Sequence, residues 1–328
     1  MITVKVTPVI TDSVNIRALL VQDEGIYYAG HKGNYGFIPY VLKDSLLLGT
    51  PEYYKLANDT LAFRAIAANK SHLYLMNIGS PAKVYRIDKV TKVTNVVYEE
   101  NDSKVFYDSM EFWNDDEGIA MGDPVDGCMS VIVTRDAGKS WSKVSCEDLP
   151  EIIDGEAAFA ASDTNIAIVN DHTWMLSGGQ VSRVYYSKNK AHTWKVYDTP
   201  LIQGKTTTGG YSIDFYDENT GFIIGGDYTD PDNQKKNKAK TSDGGKTWIL
   251  AAHNQPPNFK SCVQYVPGTK GNMLVTVGFT GFSISQDGGN TWRTINDTSF
   301  YTLRFINHTY AIAAGKNKIS LLSFERSK

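Results

Sequence analysis

Short apolar runs separated by polar turns fill most of the chain, and the same pattern of two runs joined by a turn recurs along it. In residues 110–122, an alternating apolar run is followed by a polar turn and by a second run that ends in glycine. Alternation bounded by turn residues predicts β-strands, and no segment has the periodicity of a long amphipathic helix. The pattern recurs in residues 16–30 and 213–225, and more loosely near Phe63, Ala158, Val263 and Leu303. We therefore predict an all-β chain of seven repeated units.

An eight-residue phrase with Asp, Gly and Trp marks several of these units. It is intact in residues 134–141, 241–248 and 285–292, whereas a fourth copy in residues 187–194 lacks the Asp and the Gly. Asp can accept hydrogen bonds from backbone groups further along a turn, and Gly supplies the positive φ of a tight reversal. The phrase thus predicts a hairpin turn. We expect structural roles for Asp136, Trp141, Trp194, Asp243, Trp248, Asp287 and Trp292.

The spacing of the phrase gives the number of units. Its Trp positions recur at intervals of roughly 45–55 residues, close to the length of a four-stranded propeller blade. A faded copy at residues 86–93 keeps the Asp, and one further unit precedes it. The last unit lacks a fourth strand, whereas residues 1–10 have strand character and no unit of their own. We predict one seven-bladed β-propeller domain over residues 1–328, with the N-terminal strand closing the ring.

Composition and charge narrow the functional classes. The net charge is −3, and the basic run at residues 235–240 reads as a solvated loop, so nucleic acid is not an expected partner. The sequence contains no run of about 18 apolar residues, so we predict no membrane span. Cys128, Cys146 and Cys262 are too few and odd in number for a disulfide framework and lack metal-ligand spacing. Without a dinucleotide-binding or haem-attachment motif, we expect no cofactor and no metal.

The repeated phrases resemble Asp boxes, the turns of sialidases and related propellers. With the strings at residues 112–127, 155–162 and 225–232, they make the chain resemble the bacterial propeller family related to the photosystem II stability and assembly factor. Members often carry the label oxidoreductase or glycosyl hydrolase. The resemblance implies a seven-bladed propeller with Asp boxes as folding elements at the outer blade edge. It also implies export to the periplasm or the extracellular space.

Charged residues collect at one face of the predicted ring. In a propeller, the innermost strands begin at one face, and the loops between second and third strands open there too, so their side chains converge on the axis. Arg and carboxylate groups at this mouth could orient an acidic sugar, a peptide terminus or a cation. The inner-strand starts carry Arg17, Arg64, Asp108, Glu156, Ser212 and Arg304, and the loops carry His31, Asp123, Asp126, Asp227 and Asp230.

Each of these groups has a purely structural alternative. Arg17 and Arg64 could pair with Asp108 and Glu156 across a wet channel. The segment 123–126 could be an Asp-initiated turn. The loop at residues 227–232 has oxygen ligands suited to calcium, but it lacks the glycine-bearing loop of a recognisable calcium motif.

Several functions fit this arrangement. A monomeric, non-catalytic binding or assembly propeller would recognise a glycan or protein ligand at the mouth, and we favour this function. A glycoside hydrolase or sialidase-like enzyme would use carboxylates there, although only Phe63 and Arg64 match the sialidase F-R-I-P string. A rim-binding scaffold would expose an apolar patch, anchored by Tyr228 or by Trp174. For Trp174, a buried position between blades is the alternative.

Overall fold

The computed structural model describes residues 2–12, 15–56 and 60–326. This part of the chain forms seven antiparallel sheets, and almost none of it is helical. The sheets follow one another along the sequence as blades, with four principal strands in each. The prediction of an all-β, seven-bladed propeller is therefore confirmed.

The strands are numbered in chain order. The first, β1 (Ile2–Ile10), belongs to the last blade. Blade 1 contains β2 (Ile16–Gln22), β3 (Gly25–Gly30), β4 (Asn34–Leu42), β5 (Leu46–Leu48) and β6 (Glu52–Lys55). Blade 2 contains β7 (Phe63–Ala68), β8 (His72–Asn77), β9 (Ala82–Asp88) and β10 (Thr94–Glu100), and blade 3 contains β11 (Tyr107–Phe112), β12 (Gly118–Val125), β13 (Cys128–Thr134) and β14 (Ser142–Lys143).

Two short strands, β15 (Glu156–Ala157) and β18 (Gly178–Gly179), extend the sheet of blade 5. Blade 4 contains β16 (Ile166–Val169), β17 (His172–Leu176), β19 (Arg183–Ser187) and β20 (Lys195–Asp198). Blade 5 contains β21 (Thr208–Phe215), β22 (Gly221–Asp227), β23 (Lys238–Thr241) and β24 (Ile249–Leu250). Blade 6 contains β25 (Cys262–Tyr265), β26 (Leu274–Gly278), β27 (Gly281–Ser285) and β28 (Arg293–Asn296), and blade 7 contains β29 (Thr302–Phe305), β30 (Tyr310–Gly315) and β31 (Lys318–Arg326).

The ring closes through the N-terminal strand, as predicted. Strand β1 pairs antiparallel with β31 over almost its whole length, with Val4 opposite Phe324. It supplies the outermost strand of blade 7, which otherwise ends with β31. The first and last segments of the chain are thereby joined in one sheet.

The core lies between successive blades, because each blade packs both faces against its neighbours. At the junction of blades 4 and 5, the fully buried Trp174 stacks on Phe215 with ring centroids 3.7 Å apart. Its indole N–H donates to the Gly244 carbonyl at 2.8 Å. Trp174 therefore has the buried position between blades and not the exposed position of a rim anchor.

The repeated phrases form the turns between the third and fourth strands of their blades. In residues 241–248, Asp243 accepts hydrogen bonds from the Thr241 hydroxyl, the Lys246 and Thr247 amides and the Thr247 hydroxyl. Trp141 and Trp248 are buried, whereas Trp194 and Trp292 are half-buried. These turns lie on the face of the ring opposite the candidate mouth.

The degenerate copy at residues 187–194 forms the same turn. Asn189 accepts hydrogen bonds from the Ser187 hydroxyl and from both the amide and the hydroxyl of Thr193. Lys190 and Ala191 adopt the positive φ angles that glycine adopts in the copy at residues 241–248. The turn therefore depends on its hydrogen-bond pattern more than on the identity of each residue.

The cysteines differ from expectation. Cys128 and Cys146 form a disulfide, and Cys262 is buried and free. The expectation of no disulfide framework rested on the count of cysteines, which does not exclude a single bridge. This bridge links β13 to a short 3₁₀ turn at Cys146–Asp148. No helix within the described ranges has the length and apolar character needed to cross a membrane.

Candidate ligand-binding site at the channel mouth

Four inner strands carry an irregularity at the same level of the ring. The pairing of β2, β7, β11 and β21 with the second strand of each blade shifts register at Arg17, Arg64, Asp108 and Tyr211. A bulge bends a strand and redirects the side chain of the extra residue. Three of these residues, Arg17, Arg64 and Tyr211, line one cavity at the channel mouth.

Glycines on the second strands of blades 3 and 5 permit two of these bulges. A Cβ atom on Gly122 would lie 2.1 Å from the Phe106 carbonyl oxygen, and one on Gly225 would lie 2.0 Å from the Gly209 oxygen. Both contacts are too close for any side chain, so only glycine fits at these positions. The neighbouring inner strands can then approach closely.

A segment that we call the strap, residues 156–163, crosses the channel beneath the mouth. Its last residue, Asp163, accepts backbone hydrogen bonds from Ile66 of blade 2 at 3.0 Å and Met110 of blade 3 at 3.1 Å. The Asp163 carbonyl accepts from Arg304 of blade 7 at 2.7 Å. Ser162 donates to the Ser261 carbonyl beside blade 6 at 2.6 Å. The strap thus connects the inner strands of several blades.

The first residue of the strap is fixed by a buried ion pair. Glu156 has a fully buried side chain and forms an ion pair with Arg183 at 2.5 Å. It also accepts a hydrogen bond from Ser177 at 2.5 Å. Anchored at both ends, residues 157–161 of the strap form the floor of the mouth cavity.

The cavity has a volume of about 620 Å³, within the range of ligand-binding pockets. One side of it is cationic. Arg17 donates to the Ala161 carbonyl at 2.9 Å and lies 3.8 Å from the centre of the Tyr301 ring, while Arg64 donates to the Ala160 carbonyl at 2.7 Å. Burial, together with the charge of Arg64, lowers the pKa of Arg17 to about 10, and burial also lowers the pKa of Arg64. Guanidinium groups stay charged in proteins at neutral pH.

The opposite side of the cavity is aromatic. Phe159 of the strap stacks on Tyr211 with ring centroids 4.0 Å apart, and Tyr211 packs edge-on against Phe259 at 4.9 Å. Phe259 in turn contacts Phe279 at 5.0 Å. At the rim, Tyr228 and Phe279 are 48 % and 42 % exposed. We call this set of five residues the aromatic wall.

Two buried lysines support the loop that carries Phe259. Lys238 donates to the Gln255 and Pro257 carbonyls at 2.9 and 2.8 Å. Lys260 donates to Asn258 and Thr280, each at 2.6 Å. Burial lowers the pKa of Lys238 to about 7 and that of Lys260 to about 8. These contacts hold Phe259 against the cavity.

The third side of the mouth carries carboxyl groups. Asp123 lines the cavity and accepts a hydrogen bond from the Ala158 amide at 2.8 Å. Asp108 lies close to it and is completely buried. Burial, together with the charge of Asp123, raises the pKa of Asp108 well above its ordinary value. Burial likewise raises the pKa of Asp123.

The predicted site residues separate into two groups. Arg17, Arg64 and Asp123 line the cavity, and Asp108 adjoins it. The other predicted residues do not line this cavity. His31 accepts a hydrogen bond from the Asn15 amide, and Ser212 accepts one from the Thr164 hydroxyl. Asp227 forms an ion pair with Lys205 and accepts a hydrogen bond from the Thr229 amide. Arg304 donates to the Asp163 carbonyl, and Asp126 is an exposed turn residue.

Two parts of the expected geometry differ. Glu156 was expected at the start of an inner strand, but it lies on β15, and the inner strand of blade 4 begins at Ile166. Glu156 does not make the alternative pairing with the mouth arginines, because it forms an ion pair with Arg183 instead. Over residues 2–12, 15–56 and 60–326, no three His, Cys, Asp or Glu side chains are grouped to hold a metal, and this includes Asp227, Asp230 and Asp232.

The strap and the aromatic wall were not predicted from the sequence. A signal for the strap exists at residues 157–162, where all residues but Phe159 are small. Such a run cannot build a blade face, and it interrupts the strand pattern. The aromatic wall comes from distant segments with no common spacing. The packing of the strap against blades 5 and 6 brings Phe159, Tyr211 and Phe279 together.

Comparison with known proteins bears on the fold. No protein-family model and no curated protein matches the sequence. A solved structure of YCF48 bound to D1 peptide matches with a TM-score of 0.65 and 13% identity, covering 99% of this chain and 96% of that one. In fold, this chain is similar to YCF48.

WD40 propellers are similar to nearly the same degree. The β-propeller domain of Doa1 matches with a TM-score of 0.64 and 10% identity, covering 99% of this chain and 98% of that one. The RRP9 WD40 repeats match with a TM-score of 0.64 and 12% identity, covering 98% of each chain. At such low identities, the likeness to YCF48 and to these propellers establishes the fold alone.

Proposed function

We propose that this protein is a non-catalytic binding propeller whose channel mouth holds a short protein segment. The segment carries an acidic group next to an aromatic or aliphatic side chain. One observation carries the proposal: a single cavity has two arginines on one side and the aromatic wall on the other.

The cationic side suits an acidic group. Arg17 and Arg64 use part of their hydrogen-bonding capacity on the strap carbonyls. A guanidinium group has five N–H donors in a planar fork, so donors remain for a carboxylate. The two like charges also lie close enough to influence one another, because Arg64 lowers the pKa of Arg17. An anion between them would relieve this repulsion.

The aromatic wall suits an apolar side chain. Tyr228 and Phe279 expose a large apolar area at the rim, beside the buried rings of Tyr211 and Phe259. Exposed aromatic residues around a cavity are typical of ligand and protein recognition, because they bury much area at little entropic cost. The comparisons agree with this class of ligand, since the structure of YCF48 contains D1 peptide.

A glycoside hydrolase is the competing function. Such an enzyme needs two carboxyl groups that both face the substrate. Among the described residues, Asp123 is the single carboxylate that lines the cavity, and Asp108 has no exposed surface. This arrangement favours binding over hydrolysis.

The proposal is tested by presenting the immobilised protein with a random hexapeptide library and with a glycan array. We expect enrichment of peptides that carry Asp, Glu or a free C-terminal carboxylate near an aromatic or aliphatic residue. The matched variant Arg17→Gln/Arg64→Gln should lose this enrichment, since glutamine remains polar but lacks the positive charge and the five-donor fork of arginine. Enrichment of glycans alone, or of no ligand, would contradict the proposal.

We also propose that the protein functions in an oxidising compartment, such as the periplasm or the extracellular space. The support is the Cys128–Cys146 disulfide, since such bridges persist mainly outside the reducing cytosol. Thiol titration of protein purified from its native compartment should give one free thiol, that of Cys262, after denaturation. Three free thiols would contradict this proposal.

A further inference from the structure

Asp108 is a buried carboxyl group with no hydrogen-bond partner. Its side chain is fully buried, and neither carboxylate oxygen accepts a hydrogen bond. Buried polar groups are nearly always satisfied, because an unpaired group loses its hydration without compensation. The inner-strand bulge at Asp108 is one of the four at this level, and it places the carboxyl behind Asp123.

Asp123 is held rigidly in front of Asp108. Its backbone amide donates to the Phe106 carbonyl at 2.8 Å, and its Oδ1 accepts from Ala158 at 2.8 Å. Its Oδ2 has no hydrogen bond within the described residues, and the side chain lines the cavity. Asp108 thus places two buried oxygens without hydrogen-bond donors behind the Asp123 carboxyl, which itself lines the cavity.

The surrounding groups do not offset the cost of burying charge on Asp108 and Asp123. Arg64 is near enough to favour the ionised form of Asp108, but it makes no hydrogen bond to it. The nearby amides of Asp123 and Ala160 also favour ionisation, yet burial and the like charge of Asp123 outweigh them. This part of the mouth therefore has unused capacity for a cationic donor.

We infer that Asp123, reinforced by Asp108 behind it, forms a subsite for an organic cation, either an ammonium or a guanidinium group of the bound segment. Asp123 would contact the cation directly. Asp108, which has no exposed surface, would not touch the cation. A cation at Asp123 favours the ionised form of Asp108, whose charge then adds to the attraction, so Asp108 is a positioning residue. This inference rests on the proposed function and specifies its ligand further.

The two subsites together define how far apart the basic and acidic groups of the bound segment lie. The cationic subsite and the two arginines line the same cavity of about 620 Å³. In an extended segment, residues two apart point to the same face and lie about 7 Å apart. The segment should therefore carry a Lys, an Arg or its own amino terminus one to three positions from the acidic group. The mouth would then select a segment with both charges.

The test uses four synthetic hexapeptides based on the library sequence most enriched by wild type. The first peptide carries both charges, and the second carries the acidic group alone. The third carries the basic group alone, with glutamine in place of the acidic residue, and the fourth carries neither charge. With lysine replaced by norleucine, the affinity for wild type should fall about tenfold, the value of one charge-assisted contact. Asp123→Asn should weaken the two-charge peptide about tenfold and leave the acid-only peptide unchanged.

The control and the second variant separate the outcomes. Asp126→Asn alters an exposed carboxylate on the same face and should change nothing. Asp108→Asn should give a smaller loss, about two- to fivefold, confined to the peptides that carry the basic group. Equal affinity of the two-charge and acid-only peptides for wild type would overturn the cation subsite while leaving the proposed function intact. Equal affinity of wild type and Arg17→Gln/Arg64→Gln for every peptide would overturn both.

Discussion

Asp108 shows at the scale of one residue how function and stability conflict in this fold. A carboxyl with no exposed surface and no hydrogen bond destabilises the folded state whenever it is ionised. Its pKa is raised by burial and by Asp123. A group with a raised folded-state pKa contributes stability below its unfolded-state pKa, and that contribution is lost as the pH rises through the folded-state pKa.

Asp108→Asn should therefore stabilise the protein at alkaline pH. The neutral amide does not titrate, so the variant should melt several degrees above wild type at pH 8 and should lose this advantage toward pH 4. Thermal unfolding of both proteins across this range measures the difference. Asp126→Asn is the control for a general charge effect, and a difference between wild type and Asp108→Asn that does not change with pH would contradict the account.

The repeated turns give a second prediction at this scale. Asp243 accepts four hydrogen bonds within its turn, and Asn189 fills the same role in the degenerate copy. Asp243→Ala should lower the free energy of unfolding by about 1–2 kcal/mol, because several turn donors lose their acceptor. Asp243→Asn should retain most of the stability. Urea unfolding distinguishes the two, and equal losses for both variants would contradict a hydrogen-bonding role.

At the scale of the elements, the position of the strap sets the depth of the mouth cavity, because residues 157–161 form its floor. The strap carries the small side chains that leave room for a ligand, and its ends are fixed by Glu156 and Asp163. Neither anchor contacts the cavity, so their effect on a ligand would be indirect. Binding strength should thus depend on residues that a ligand never touches.

Asp163→Ala tests the role of this anchor. The substitution leaves the Ile66 and Met110 amides without their buried acceptor, which should cost about 2–5 kcal/mol of unfolding free energy. Peptide affinity at a temperature where the variant is folded should also fall, because residues 157–161 lose their position. Asp154→Ala, at an exposed site just before the strap, is the control. Unchanged affinity in folded Asp163→Ala would show that the strap does not shape the site.

The elements also show what sequence alone could predict. Strand periodicity and the repeated turn predicted the blades, because both depend on local pattern. Arg17, Arg64 and Asp123 were predicted for the mouth because they follow from blade geometry, and all three line the cavity. Glu156 was misplaced because the strap interrupts the blade pattern without any periodic signal. The aromatic wall depends on contacts between blades, which no local pattern encodes.

At the scale of the whole molecule, closure of the ring joins the two ends of the chain. Strand β1 covers the edge of β31, so the seventh blade is complete only when both ends are present. An open ring would expose an unpaired strand edge and the apolar faces of two blades. The stability of every blade should then depend on the N-terminal strand.

Removal of residues 1–10 should lower the melting temperature by roughly 10 °C or more in a single transition, because the ring unfolds cooperatively. A synthetic peptide of residues 2–10, added in excess, should restore part of the loss. A peptide of the same composition in scrambled order is the control. An unchanged melting temperature, or loss of signal from blade 7 alone, would contradict closure as the source of global stability.

The proposed function requires the two arginines of the mouth to bind the acidic group of a protein segment. Isothermal titration of the most enriched library peptide into wild type and into Arg17→Gln/Arg64→Gln tests it most directly. We predict that the double variant, at a temperature where it is folded, binds at least about a hundredfold more weakly, as expected for the loss of two charge-assisted contacts. Equal dissociation constants for the two proteins would place the ligand elsewhere on the propeller and contradict the account.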